Sequence, residues 1–329
     1  MVWSYSNDNI DIDHNKTGYT SCYRKHPVNL HTFVHGEKLM QALSAQRDQL
    51  GECPRWHAET QTLWWVDITK HQIHRHHPAS GQHSVIQLQE EIGCFIWREK
   101  GGLLVALQSG FHFIDDIDNP TLTPIVDPEA DKPWQRFNDG RCDPQGRFIA
   151  GTMNARKDES FGTFYQLNPD LSVRPLIGKS WTCNGMAFSP DGKTLYWSDT
   201  PIQNRNIYRC DYNPETGEVS NQQLFFHVPE DMGRPDGATV DSEGNYWSAQ
   251  YAGSRVLCIS PQGELLRDIA LPVTNPTMPC FGGPDLKTLY VTSASQGMSA
   301  EHLAAHPLEG AVLAIPMDVA GLPEVAFAG

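Results

Sequence analysis

The chain has 329 residues, with 25 Lys and Arg against 39 Asp and Glu and a formal net charge of −14. That balance, without a basic run, excludes a nucleic-acid binder, since phosphate contacts need clustered cations. No stretch approaches 18 apolar residues, which excludes a transmembrane helix, while 39% hydrophobic residues with 9 Trp suffice for a large core.

From Met1 to about His35 the chain is polar and shows neither helical nor strand periodicity. It carries acids at Asp8, Asp11 and Asp13 and lacks a basic segment followed by an apolar run, so it does not read as a secretory signal. Residues 1–45 are therefore expected to form an irregular extension, with Leu39 to Leu50 adding a short helix or an edge strand. The eight cysteines fall at 22, 53, 94, 142, 183, 210, 258 and 280, with no C-x-x-C pair. Scattered single cysteines in apolar strand patterns predict buried, reduced thiols in a cytoplasmic protein.

From Gly51 onward short apolar runs alternate with turn signals such as Asp143-Pro-Gln-Gly146, Ser189-Pro-Asp-Gly192, Asp241-Ser-Glu-Gly244 and Ser260-Pro-Gln-Gly263. Aligning the second strand of each unit gives Trp65, Val105, Ile149, Trp197, Trp247 and Val291, spaced by 40, 44, 48, 50 and 44 residues. A repeat of about 40–50 residues with four short strands is that of a β-propeller blade. One blade cannot bury both faces of its sheet, but six stacked radially do, and closing the ring protects the edges. The predicted fold is all-β: a six-bladed β-propeller over residues 46–329, preceded by the extension.

Four stretches at one phase of this repeat each place a polar residue before the first hairpin: Gly51-Glu52-Cys53-Pro54, Arg136-Phe137-Asn138-Asp139-Gly140, Cys183-Asn184-Gly185-Met186 and Arg234-Pro235-Asp236-Gly237. Strands that precede the first hairpin are the innermost ones, so Glu52, Asn138, Asn184 and Asp236 are expected to converge on the axis at one face. Four polar groups are expensive to bury unless something satisfies them, and a cation does. Alone, Asn184-Gly185 or Asp236-Gly237 would be an ordinary hairpin turn. Cys53 and Cys183 adjoin two of these residues, but neighbours in a strand face opposite sides, so neither is expected to be a nucleophile. His71, His74, His76 and His77 lie on one strand and turn and read as a solvated blade edge rather than a zinc site.

The same stretches resemble the regucalcin/gluconolactonase (senescence-marker-like) sugar lactonases over about residues 50–329. The likeness rests on Gly51-Glu52-Cys53-Pro54, Arg136-Phe137-Asn138-Asp139-Gly140 with Gly151-Thr152-Met153, Asn184-Gly185-Met186, Pro235-Asp236-Gly237 and Cys280-Phe281-Gly282-Gly283-Pro284-Asp285. The stretches Pro307-Leu308-Glu309-Gly310 and Asp318-Val319-Ala320-Gly321 look most like bacterial aldonolactonases. The resemblance implies one divalent metal ion held by Glu52, Asn184 and Asp236, with Arg136 and Asn138 on the sugar hydroxyls and Met153 lining the pocket. Where regucalcin-like members place a substrate-touching Glu after Gly-Thr-Met, this chain has Asn154-Ala155-Arg156. Arg156 is therefore a candidate substrate residue, open to a lactone bearing an acidic group, or a surface cation paired with Asp158 or Glu159.

Two carboxylates and an amide oxygen form a hard, open-sided set suited to Ca²⁺, Mg²⁺ or Mn²⁺, with Zn²⁺ and Fe²⁺ also compatible. A cation so held polarises an ester carbonyl and activates water, and Asp236 is the candidate general base. The expected activity is hydrolysis of a sugar lactone of the gluconolactone or pentonolactone type. The rivals are a non-catalytic calcium-binding scaffold propeller and an organophosphate- or aryl-esterase on the same fold. A scaffold would show a broad aromatic and charged face, and the esterases pair two cations with a different acid pattern.

Overall fold

The turn signals close hairpins, and the computed structural model, which describes residues 11–14, 20–23, 32–35, 38–156, 159–201 and 203–329, arranges those hairpins as six antiparallel sheets around one axis. Blade I runs Gly51–His57, Thr62–Asp67, Gln72–His77 and Gln82–Gln87. Blade II runs Ile92–Trp97, Leu103–Leu107, Gly110–Ile114 and Leu122–Val126. Blades III, IV and V open on Gln135–Cys142, Cys183–Phe188 and Arg234–Val240, each followed by three more strands in chain order. The first strand of every blade packs on the first strands of its neighbours and lines the axis. All six anchors, from Trp65 to Val291, fall on second strands and are buried.

Blade VI has only three strands of its own, Pro276–Gly282, Thr288–Ser293 and Leu313–Pro316. Its fourth is Lys38–Ala42, where Leu313 pairs with Ala42 and Ala314 with Gln41. Of the short helix or edge strand expected over Leu39 to Leu50, the structure forms a strand, at Lys38–Ala42, and it closes the ring, so the propeller draws on residues ahead of 46. Asp11–His14, Thr20–Tyr23 and Thr32–His35 extend the same sheet to seven strands. The rest of the expected extension, residues 1–10, 15–19, 24–31 and 36–37, lies outside the described residues. Among the described residues no helix is long and apolar enough to cross a membrane.

The apolar faces meet between blades around Trp65, Phe95, Phe111, Phe148, Phe164 and Trp247, all fully buried. Burying each such side chain contributes about 1.5–3 kcal/mol. The turn aspartates are structural. Asp143 accepts from the Gln145 and Arg147 amides, while Asp241 accepts from the Glu243 and Asn245 amides and from Trp247 Nε1 at 2.8 Å.

The floor of the channel is closed by a segment that follows blade VI. It crosses from Ser242, whose N–H donates to Ala320, to blade III, where the Ala328 N–H donates to Gly146. On the way Phe327 enters the core between blades, and Glu324 reaches the axis. There Arg55 donates Nη1 to Glu324 at 2.8 Å and Nε to the Phe95 carbonyl, and Arg141 lies 3.5 Å from the other oxygen of Glu324. Burial works against the Glu324 carboxylate, yet Arg141 and Arg55 hold it below the usual carboxylate range.

The histidine cluster differs from expectation. His74 and His76 share one face of their strand, and that face is buried: the residues are 1% and 4% exposed. His74 stacks on Trp65, and its Nδ1 lies 3.1 Å from His83 Nε2. Burial and the neighbouring His83 push both imidazoles down to about 4, against about 6.5 in an unfolded chain. Between those values the unfolded state binds protons that the native state refuses. Their contribution is therefore full above about pH 6.5 and is lost as pH falls toward 4. Asp48, pushed up to about 7 by burial, acts in the opposite sense over the same window. The informative quantity is thus a difference: the melting temperature of a His76→Leu variant should fall less steeply than that of the wild type between pH 6.5 and 4. Parallel melting curves across that range would show that His76 is protonated in the fold.

Candidate active site

Each innermost strand carries one extra residue relative to its partner near the end where it begins: the register shifts between Glu52 and Arg55, Phe137 and Gly140, Asn184 and Ala187, Pro235 and Ala238, and Pro276 and Pro279, while in blade II Gly93 is skipped. Such bulges re-aim side chains, and here they do so at one level of the ring. In the bulges Cys53 and Gly185 take φ of +50° and +63°. A Cβ on Gly185 would sit 2.4 Å from the Tyr246 hydroxyl and 2.5 Å from Ser198 Oγ, so this position needs glycine. Asn184-Gly185 and Asp236-Gly237 are therefore not hairpin turns but parts of inner strands.

Glu52, Asn138, Asn184 and Asp236 come together as buried residues lining one cavity of about 330 Å³, with Arg136 and Met153 on its wall. Asn184 Nδ2 donates to Asp236 Oδ1 at 2.5 Å and to Thr200 Oγ1 at 2.8 Å. Its Oδ1 is buried without a hydrogen-bond partner. Burial, with the Asp236 and Asp139 carboxylates nearby, pushes Glu52 well above the ordinary carboxylate range, and Arg136 only partly offsets this. Two buried carboxylates beside an orphaned buried acceptor make an environment that a divalent cation satisfies, and the oxygen donors suit a hard ion. Among the described residues no group of three or more His, Cys, Asp and Glu side chains gathers as for a metal; the present set has two carboxylates, its third oxygen being an amide. A larger cavity of about 760 Å³ opens on the opposite face by Trp56, Trp97 and Glu324, but the other two carboxylates that line it, Glu59 and Glu99, are exposed to solvent.

Arg136 is held in place from three sides. It donates Nη1 to Asn138 Oδ1 at 3.0 Å and to the Phe137 carbonyl at 2.8 Å, and Nε lies 3.2 Å from Glu91. Asn138 in turn donates Nδ2 to the Cys183 carbonyl at 3.1 Å, tying blade III to blade IV. Met153 is the cross-strand partner of Arg136. Cys53 and Cys183 are buried, do not line the cavity, and have thiols pushed up by that burial.

Arg156 is not brought to the cavity. It is exposed, its guanidinium lies 4.6 Å over the Trp134 ring, and its N–H donates to Asn154 Oδ1. Asp158, one of its expected partners, lies outside the described residues. Asn154 is fully buried and donates to the Glu159 carbonyl. Asn154 thus serves to hold Arg156 and Glu159 rather than to line the cavity.

Sequence reasoning missed Arg234, Tyr251, Trp181 and Gln296, which also line the cavity. For Arg234 a signal existed. Arg234 stands two residues before Asp236 just as Arg136 stands two before Asn138, and residues two apart on a strand share a face. Tyr251 is the cross-strand partner of Arg234, a pairing that sequence spacing does not show.

A family model described as the SMP-30/gluconolactonase/LRE-like region matches residues 50–295. A 6-deoxy-6-sulfogluconolactonase of Pseudomonas putida is 44% identical over 86% of this chain and 97% of its own. An L-arabinolactonase of Azospirillum brasilense is 35% identical over 90% of this chain and 98% of its own. The crystal structure of a regucalcin from Agrobacterium tumefaciens, described as a calcium-binding protein, superposes with a TM-score of 0.83 at 28% identity, covering 87% of this chain and 96% of that one.

Proposed function

Since the chain belongs to the SMP-30/gluconolactonase/LRE-like family, we propose that it hydrolyses an aldonolactone, of hexonolactone or pentonolactone type, to the open aldonic acid with the help of one divalent cation. The observation that carries this reading is the meeting of Glu52, Asp236 and the orphaned Asn184 oxygen in a polar cavity whose wall presents hydrogen-bond donors. Lactonase names among the relatives, one for a hexose-derived and one for a pentose-derived lactone, support the substrate class.

Glu52, Asn184 and Asp236 would hold the ion, which when bound supplies polarisation of the ester carbonyl and a lower pKa for water. Asp236 accepts the proton of the attacking water as its oxygen adds to the carbonyl carbon. The bond from that carbon to the ring oxygen then breaks, the ring oxygen takes the proton back from Asp236, and the product is an open hydroxy acid. Arg136 donates to hydroxyl oxygens, Asn138 fixes its direction, and Met153 gives the sugar an apolar wall. The cavity is at the small end of ligand pockets, about 300–1,000 Å³, which fits a single sugar ring.

A panel of aldonolactones, with acid release as the readout, tests the proposal. The metal-loaded protein should open sugar lactones in preference to unsubstituted ones. Arg136→Ala and Asn138→Ala should raise KM for sugar lactones by about tenfold, the loss of one charge-assisted hydrogen bond, while metal content stays at the wild-type level. Equal losses on sugar and unsubstituted lactones would remove both residues from sugar recognition. A panel that stays silent while calcium still raises the melting temperature would favour the binding-protein reading instead.

A further inference from the structure

Among the cavity-lining residues, Arg234 stands apart. Arg136 already has Glu91, Asn138 and a backbone carbonyl as partners. Arg234 is half-buried, yet no carboxylate of the described residues lies within ion-pair distance of it, and it donates no hydrogen bond to them. What holds it is the face of Tyr251, whose ring centroid lies 4.9 Å from the guanidinium carbon. A cation over an aromatic face is oriented without being neutralised, so its donors stay available.

Resting on the lactonase reading above, we infer that Arg234 is a specificity residue of this cavity and receives an anionic group, a sulfonate, carboxylate or phosphate, carried on the exocyclic carbon of the lactone. The guanidinium offers a planar fork of N–H donors that matches two oxygens of such a group. The protein's acidic balance sharpens the point. With a formal charge of −14, Glu52 and Asp236 lining the same cavity and Arg136 already paired with Glu91, an anionic group gains most from a cation that has no carboxylate partner. Arg156, the other candidate for this role, faces away over Trp134. A purely structural Arg234 would show a carboxylate or carbonyl partner, as Arg55 does at the floor of the channel.

The test compares two hexonolactones that differ only at the exocyclic carbon, one bearing a sulfonate and one a neutral hydroxyl, in wild type, Arg234→Gln and Arg234→Lys. The wild type should prefer the sulfonated lactone. In Arg234→Gln the ratio of the two kcat/KM values should fall about 10- to 100-fold, mainly through KM, with Arg234→Lys between the two. Added salt should weaken the preference in the wild type and not in Arg234→Gln. Equal losses on both lactones, or an unchanged ratio, would overturn the inference. Thermal-shift titration with the open-chain sulfonated acid needs no turnover. A shift in the wild type that is lost in Arg234→Gln supports the role of Arg234 even if neither lactone is hydrolysed, an outcome that would sink only the lactonase reading; no shift in either protein overturns it.

Discussion

Replacing Asp236 with alanine should lower kcat by about 10²–10³ or more, the usual cost of losing one electrostatic partner of a transition state, while the protein stays folded. Asp236 sits in a bulge facing the cavity, so truncating it removes a carboxylate from the axis without opening the apolar contacts between blades. It accepts from Asn184 Nδ2, and alanine would free that amide as well. Asp236→Asn keeps the shape and removes the base, so it separates the two roles. If asparagine binds metal and turns over like the wild type, another group takes the proton. Circular dichroism, metal content and initial rates on one lactone give the three readouts.

Removing the metal should abolish hydrolysis and lower the melting temperature together. Without a cation, Glu52 and Asp236 share a buried site at a mutual cost, and the Asn184 oxygen has no partner. A ligand that binds only the folded state stabilises it by about 2.7 kcal/mol at a hundred times its Kd, enough to move a melting curve by a few degrees. Chelation followed by one equivalent of Ca²⁺, Mg²⁺, Mn²⁺, Zn²⁺ or Fe²⁺ should restore both properties, and the ion that restores most is the one that best suits the oxygen donors of the site. Full turnover in verified metal-free protein would end the metal-assisted mechanism.

The propeller was legible because its repeat is written in apolar second strands and in four-residue turns that open on Asp or Ser and close on Gly, and Trp65, Val105, Ile149, Trp197, Trp247 and Val291 all stand where that spacing puts them. The convergence of Glu52, Asn138, Asn184 and Asp236 was legible for a related reason: equal phase in a closed repeat means equal height on the axis. Four things were hidden. A one-residue bulge leaves no mark in composition, so the Asn-Gly and Asp-Gly pairs look like turns. The burial of His74 and His76 depends on Trp65, Asp48 and His83 covering a face that the histidines' own polarity disguises. Arg156 follows a motif residue closely, but a short loop beyond Asn154 turns it outward. The strand Lys38–Ala42 carries a weak pattern because its place is set by Leu313–Pro316, far along the chain.

That last pairing has a consequence for the order of events during synthesis. The strand that closes the ring is among the first parts of the propeller to leave the ribosome, and its partner, Leu313–Pro316, is among the last. At about 5–20 residues per second the wait is on the order of tens of seconds. Throughout it, blades I to V can form as local hairpins, but the stack keeps two raw ends, with open sheet faces of the kind that attract other chains. The floor segment arrives later still, and only then do Arg55 and Arg141 meet Glu324 on the axis. The finished ring hides its edges well, and it does so at the latest possible moment.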